Sequence, residues 1–208
     1  MLRSPRLGQL SDAELIAAWR VGDTSAGQVL TSRHYLSVLR FFELSATWVA
    51  EDLTQKTFLA LLERSDGFDP ARSLRAYLFG IARNQLAMYR RELAIRRDDP
   101  LGDVEPMAQH SRVSALVARA QEHRLLLRAL VGLPEDARLI VVLHYWEAMP
   151  SSDIATVIDV PASTVRGRLV RARALLERQI RAISAQSPLA RANDAELAHW
   201  LRSLATGA

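Results

Sequence analysis

The segment from Ser151 to Leu176 constrains the fold more than any other part of the chain. Ile154, Ala155 and Ile158 supply one apolar face of a short helix, and Asp159, Val160 and Pro161 break it. A second helix then starts at about Ala162, with Val165, Leu169, Ala172 and Leu176 on one side of the helical wheel. Ser163, Thr164, Arg166, Gly167, Val170 and Arg171 occupy the opposite side, and Arg168 and Arg173 flank the apolar stripe. A short helix, a tight turn and a longer basic helix make the pattern of a helix-turn-helix. The second helix must hold its apolar stripe against the first while its outer face stays free for a DNA groove.

The charge distribution agrees with that reading. Between Arg166 and Arg181 the sequence has six arginines and one acid, Glu177. Lys56 is the only lysine, so almost all of the positive charge is guanidinium, which forks onto phosphate and guanine edges. Arginine in place of lysine also follows from a GC-rich genome, and it is the clustering that points to nucleic acid. Aromatic residues make up 6% of the chain, and strand-like alternation is not evident, so the expected fold class is all-α.

A second helix-rich block spans residues 11–97. Ser11 and Glu14 form a capping-box pattern ahead of Leu15, Ile16 and Trp19, and Gly22-Asp23 reads as a turn. A second helix is expected to carry Val29, Leu30, Leu36, Val38 and Leu39, and two more are expected over about 47–64 and 73–96, separated by a loop with Gly67, Asp69 and Pro70. The patterning then stops. Asp98, Asp99, Asp103 and Glu105 lie among Pro100, Gly102 and Pro106 with no base up to His110, so residues 98–112 read as an acidic, flexible linker. Residues 113–186 form the block that ends in the helix-turn-helix. It is read as a long helix to Val131, a break at Gly132-Leu133-Pro134 and a helix from Glu135 to about Glu147. Residues 187–208 form an extension in which Asn193 and Glu196 make another capping box. Leu197, Trp200, Leu201 and Leu204 share one face of its short amphipathic helix.

Several functions are disfavoured. The chain has no cysteine, which removes disulfide scaffolds and thiolate metal sites. The five histidines (His34, His110, His123, His144, His199) show no ligand spacing, and no phosphate-binding, zinc-protease or nucleophile-elbow motif is present. No catalytic residue, metal or cofactor is therefore expected. No apolar run approaches the length of a membrane span and no secretory signal is visible, so a cytoplasmic protein without membrane insertion is expected.

Three stretches together resemble a known family. "SSDIATVIDVPASTVRGRLVRARALL", preceded by Leu133-Pro134-Glu135, is similar to region 4 of the extracytoplasmic-function (ECF) sigma factors of the sigma-70 family. "AEDLTQKTFLALLE" (Ala50 to Glu63) resembles their region 2.2, and "LRAYLFGIARNQLAMYRRE" (Leu74 to Glu92) their regions 2.3 to 2.4. The resemblance implies two small helical domains, a region 2 bundle and a region 4 helix-turn-helix, joined by the linker. It implies a factor that brings RNA polymerase core to promoter DNA, with the clamp helices of the largest subunit and the flap region as contacts and an anti-sigma factor as a further partner. Lys56 stands where an acid is common in the family, and Pro150-Ser151-Ser152-Asp153 replaces a more usual Ser-Tyr-Glu-Glu run.

The residues suit those roles. Asp52, Gln55, Lys56, Leu59 and Glu63 share a mixed polar face with one apolar residue, as a protein-docking surface would. Arg83, Asn84, Arg90 and Arg91 lie opposite the apolar stripe of their helix and are expected at the −10 element, with Phe68 in the preceding loop as a stacking or wedge group. A lone loop phenylalanine is packed into its own domain at least as often. Ser163, Thr164, Arg166, Arg168, Val170, Arg171 and Arg173 are expected at the −35 element. Two competing readings are a conventional helix-turn-helix regulator that never binds polymerase core and a sigma-like decoy that only sequesters a protein. The first requires a sensor or dimerisation module in residues 11–97; the second requires loss of the basic faces.

Overall fold

The computed structural model describes residues 7–97 and 121–206; the acidic linker and the start of the helix expected from Val113 lie outside the described residues. All regular structure among the described residues is helical. The chain divides into two compact units, residues 7–42 with 48–97 and residues 43–47 with 121–206 of those described.

The first unit is built on four helices: α1 (Asp12–Arg20), α2 (Thr24–Glu43), α3 (Ala50–Glu63) and α4 (Leu74–Arg97). The expected capping box starts α1: the Glu14 amide donates to Ser11 Oγ at 3.3 Å, and the Ser11 amide donates to Glu14 Oε2 at 2.7 Å. Ser11 also holds the Glu14 carboxyl below its ordinary pKa, by hydrogen bonding from both its hydroxyl and its amide. Gly22, at φ +96°, reverses the chain where an L side chain would be strained. Asp23 then caps α2 by accepting from the Ser25 and Ala26 amides at 2.9 and 3.2 Å.

Leu15, Leu30, Val38, Phe42, Leu53, Leu61, Leu78, Phe79 and Leu86 meet in the interior of this unit. Thr54 and Thr57 are fully buried, yet each hydroxyl donates to a carbonyl one turn back, Ala50 and Leu53, at 2.7 Å, so neither polar group is left unsatisfied. Asp12 ties α1 to α2 by accepting from Arg33 Nη1 at 3.0 Å and facing His34 Nε2 at 2.7 Å.

The second unit holds α5 (Gln121–Val131), α6 (Glu135–Val141), a π-helical turn (Val142–Trp146), α7 (Ser151–Ile158), α8 (Ala162–Ile183) and α9 (Asp194–Thr206). The helix expected to run straight from Glu135 to about Glu147 instead widens after Val141: the Glu147 amide bonds to Val142 O, five residues back, at 3.1 Å. Ala148 follows in the left-handed region at φ +48°, which reverses the chain into Met149 and Pro150. Leu126, Leu130, Val141, Val142, Ala172, Leu176 and Ile180 form one core cluster. The C-terminal carbonyl of α5 is satisfied by Arg138, whose Nη1 donates to Val131 O at 2.9 Å. No described helix is long and apolar enough to cross a membrane.

Candidate nucleic-acid interface

The helix-turn-helix forms as its sequence dictates. Ile154, Ala155 and Ile158 of α7 are buried, as are Val165, Ala172 and Leu176 of α8, while Leu169 is half-buried. The turn is made by Asp159 at φ +54° and ψ +57°, a conformation that aspartate tolerates better than most L residues. The Val160 amide closes the end of α7 on Ala155 O at 3.1 Å, and Pro161 sits just before α8 with its carbonyl accepting from the Thr164 amide at 2.9 Å.

The outward side of α8 is a continuous stripe. Ser163, Arg166, Gly167, Val170, Arg171 and Ala174 are all exposed, at the spacing of one helix face. Val170 is 69% exposed between arginines, an apolar group left in solvent on an otherwise polar stripe. Gly167 leaves the middle of the stripe low, and a Cβ added there would meet only Arg171 Nη2, at 3.9 Å. Arginines flanking a low centre let a helix backbone come close to a groove floor while guanidinium groups reach bases and phosphates. The other two expected arginines sit differently. Arg168 is half-buried, and Arg173 turns its Nε to Glu177 Oε1 at 2.9 Å.

In the first unit, α4 presents Asn84 and Arg91 fully and Arg83 and Arg90 in part. Burial lowers the pKa of Arg90, although a guanidinium so placed stays charged. On α3, Asp52, Gln55, Lys56, Leu59 and Glu63 are all exposed, with Leu59 at 60%. Lys56 Nζ pairs with Asp52 Oδ2 at 2.8 Å. Its pKa is raised first by that hydrogen bond, with further attraction from Asp52 and from Glu92 of α4. The lysine that departs from the family pattern is therefore paired within its own face.

One expectation is corrected. Phe68 is not displayed as a stacking or wedge group: it is 6% exposed and lies against Tyr77, ring centroids 5.4 Å apart. Tyr77 in turn donates its hydroxyl to Arg64 O at 3.1 Å, so this pair anchors the loop before α4 to that helix. An apolar ring in a short polar loop gains more from burial than from standing in water, and Tyr77 offers it a place. Met88 and Ile95, 46% and 72% exposed, were not foreseen as part of the outer side of α4. Their signal was present, since two apolar residues seven apart on a polar face stand out from it.

Two helical units, one containing a helix-turn-helix with an open arginine face, define a DNA-binding transcription factor. The Sigma-70 region 2 family model matches residues 31–95, and the Sigma-70 region 4 model matches residues 123–176. The ECF RNA polymerase sigma factor SigM of Mycobacterium tuberculosis is 30% identical over 170 residues, covering 81% of this chain and 84% of the relative. The ECF RNA polymerase sigma-E factor of Escherichia coli K12 is 25% identical over 187 residues, covering 83% of this chain and 95% of the relative. Among solved structures, CnrH in complex with the cytosolic domain of CnrY matches with a TM-score of 0.59 and 27% identity, covering 85% of this chain and 99% of CnrH. The sigma factor RpoE of Bartonella quintana, in complex with the anti-sigma factor NepR, matches with a TM-score of 0.56 and 26% identity, covering 71% and 92%. The chain belongs to the ECF RNA polymerase sigma factors, regulatory proteins that direct polymerase to promoters for transcription initiation.

Proposed function

We propose a division of labour between the two units. The outer stripe of α8, with Ser163, Thr164, Arg166, Val170 and Arg171, reads the −35 element in the major groove, while Arg168 and Arg173 flank it and hold backbone phosphates. Arg83, Asn84, Arg90 and Arg91 of α4 hold the −10 element, where binding of unstacked bases offsets the cost of opening the duplex without nucleotide hydrolysis. Asp52, Gln55, Lys56, Leu59 and Glu63 dock on the clamp helices of the largest polymerase subunit, and the second unit contacts the flap region. Residues 11–97 and 113–186 act as region 2 and region 4, with 98–112 as a tether.

The chain acts without catalysis of its own, in the cytoplasm where the polymerase is, and an anti-sigma protein holds it inactive, as NepR is bound to RpoE in the matched structure. The observation that carries the reading is the α8 stripe: six consecutive positions of one helix face, all exposed, two of them arginine. It also disfavours a decoy, in which that face would have no reason to stay basic.

Run-off transcription of a genomic fragment pool by polymerase core, with and without the protein, tests this directly. New start sites sharing two spaced motifs are expected. Arg166→Ala with Arg171→Ala should remove those starts while leaving core binding intact. DNA binding without new starts would turn the reading towards a conventional regulator.

A further inference from the structure

The burial of Phe68 leaves the −10 side of the first unit without the apolar group expected there. Phe68 is the only aromatic residue between α3 and α4, and it is 6% exposed against Tyr77. Opening a duplex strips bases of their stacked neighbours, and an apolar side chain that takes the vacated place lowers that cost. Methionine, leucine and isoleucine serve as such wedges as well as aromatic rings do.

The outer side of α4 carries a group of that kind. Asn84, Met88, Arg91 and Ile95 follow one another at intervals of four, three and four residues, which sets them within about 60° of one another on the helical wheel. All four are exposed, Met88 at 46% and Ile95 at 72%. The helical rise puts Met88 about 6 Å along the axis from Asn84 and about 4.5 Å from Arg91. A DNA strand held by both of those residues meets the side chain between them. Ile95 has a DNA-holding neighbour on one side only.

The surrounding charge suits a polyanion. Six arginines and a single acid, Glu92, are present in α4. Arg83 and Arg90 run along one side of the stripe, while Glu92 lies on the other, where Lys56 of α3 feels its attraction. Guanidinium groups there can hold phosphates while the thioether lies against the bases those phosphates carry.

We propose that Met88 is the apolar wedge of this protein: as the −10 duplex opens, its side chain covers the base face left bare between the positions held by Asn84 and Arg91. The proposal rests on the reading that α4 holds the −10 element. An unbranched thioether adapts to whichever base it meets, so Met88 serves strand opening rather than the choice of sequence.

The test uses the full chain with polymerase core and one of its promoters in two forms, a duplex and a template already unpaired across the −10 element. Met88→Ala and Met88→Gln should each lower run-off from the duplex about tenfold, with a parallel fall in the permanganate reactivity of thymines in the opened region. Output from the unpaired template should stay within about twofold of the parent, because the step that Met88 assists has been bypassed. Met88→Leu should recover most of the loss by restoring apolar bulk. Alanine, glutamine and leucine are all good helix formers and the position is exposed, so the variants keep the fold. Duplex output from Met88→Ala equal to that of the parent overturns the proposal. An equal fall on both templates, or weaker binding of polymerase core, also overturns it and makes Met88 a contact of another kind. If Asn84→Ala with Arg91→Ala leaves both templates unaffected, α4 does not hold DNA, and the underlying reading falls together with this one.

Discussion

Replacing Gly167 with alanine should move stability and DNA affinity in opposite directions. Gly167 lies in the second turn of α8, where glycine costs about 0.8–1.0 kcal/mol relative to alanine through backbone entropy. In the free protein that gain meets no steric cost, because the new methyl would touch only the far end of the Arg171 side chain at 3.9 Å. For a domain of this size, about 1 kcal/mol raises the melting temperature by roughly 4–8 °C. The methyl would also stand in the middle of the stripe of Ser163, Arg166, Val170 and Arg171. If the helix backbone must approach the groove there, the methyl holds it back and lengthens the arginine contacts. Loss of one good base contact is worth about 1–3 kcal/mol, or roughly 5- to 150-fold in affinity. Calorimetry of the second unit's unfolding and fluorescence anisotropy on a promoter duplex at fixed salt measure the two effects. A more stable variant with unchanged DNA affinity would refute close approach at Gly167. A variant that is no more stable would refute the helix-propensity argument itself.

Three further outcomes follow from local geometry. Ala148 holds φ +48°, which costs an L residue about 1–2 kcal/mol, partly offset in a glycine variant by its larger entropy loss. Ala148→Gly should therefore stabilise the second unit by about 0.5–1 kcal/mol in denaturant unfolding, and Asp159→Gly by less, since aspartate tolerates the left-handed region. Glu14 has a folded-state pKa below that of the unfolded chain, so its contribution is present above the unfolded value and disappears as pH falls through the folded one. The stability difference between the parent and Glu14→Gln should shrink over that acid window, and a difference independent of pH would contradict the assignment.

Much of the fold could be read from local patterning. The capping boxes at Ser11 and Asn193, the turn at Gly22-Asp23 and the buried faces of α7 and α8 follow from the residues and their spacing, because caps and apolar periods act within a few residues of chain. The polar face of α3 was legible for the same reason: once Leu53, Phe58 and Leu61 are turned inward, Asp52, Lys56 and Leu59 have nowhere else to go. Interactions between distant residues were not legible. Phe68 is buried because Tyr77 offers it a surface, and nothing in the loop's own composition says so. The π-turn after Val141 and the left-handed Ala148 are imposed by packing, since an alanine has no local preference for that conformation. The amphipathicity of the tail promised that α9 would pack on something; only the meeting of Leu197, Leu201 and Leu204 with the second unit's core, and of His123 with Ser203 eighty positions away, decided on what. A helix period determines which residues seek burial, but the partner that buries them is chosen by the whole tertiary arrangement.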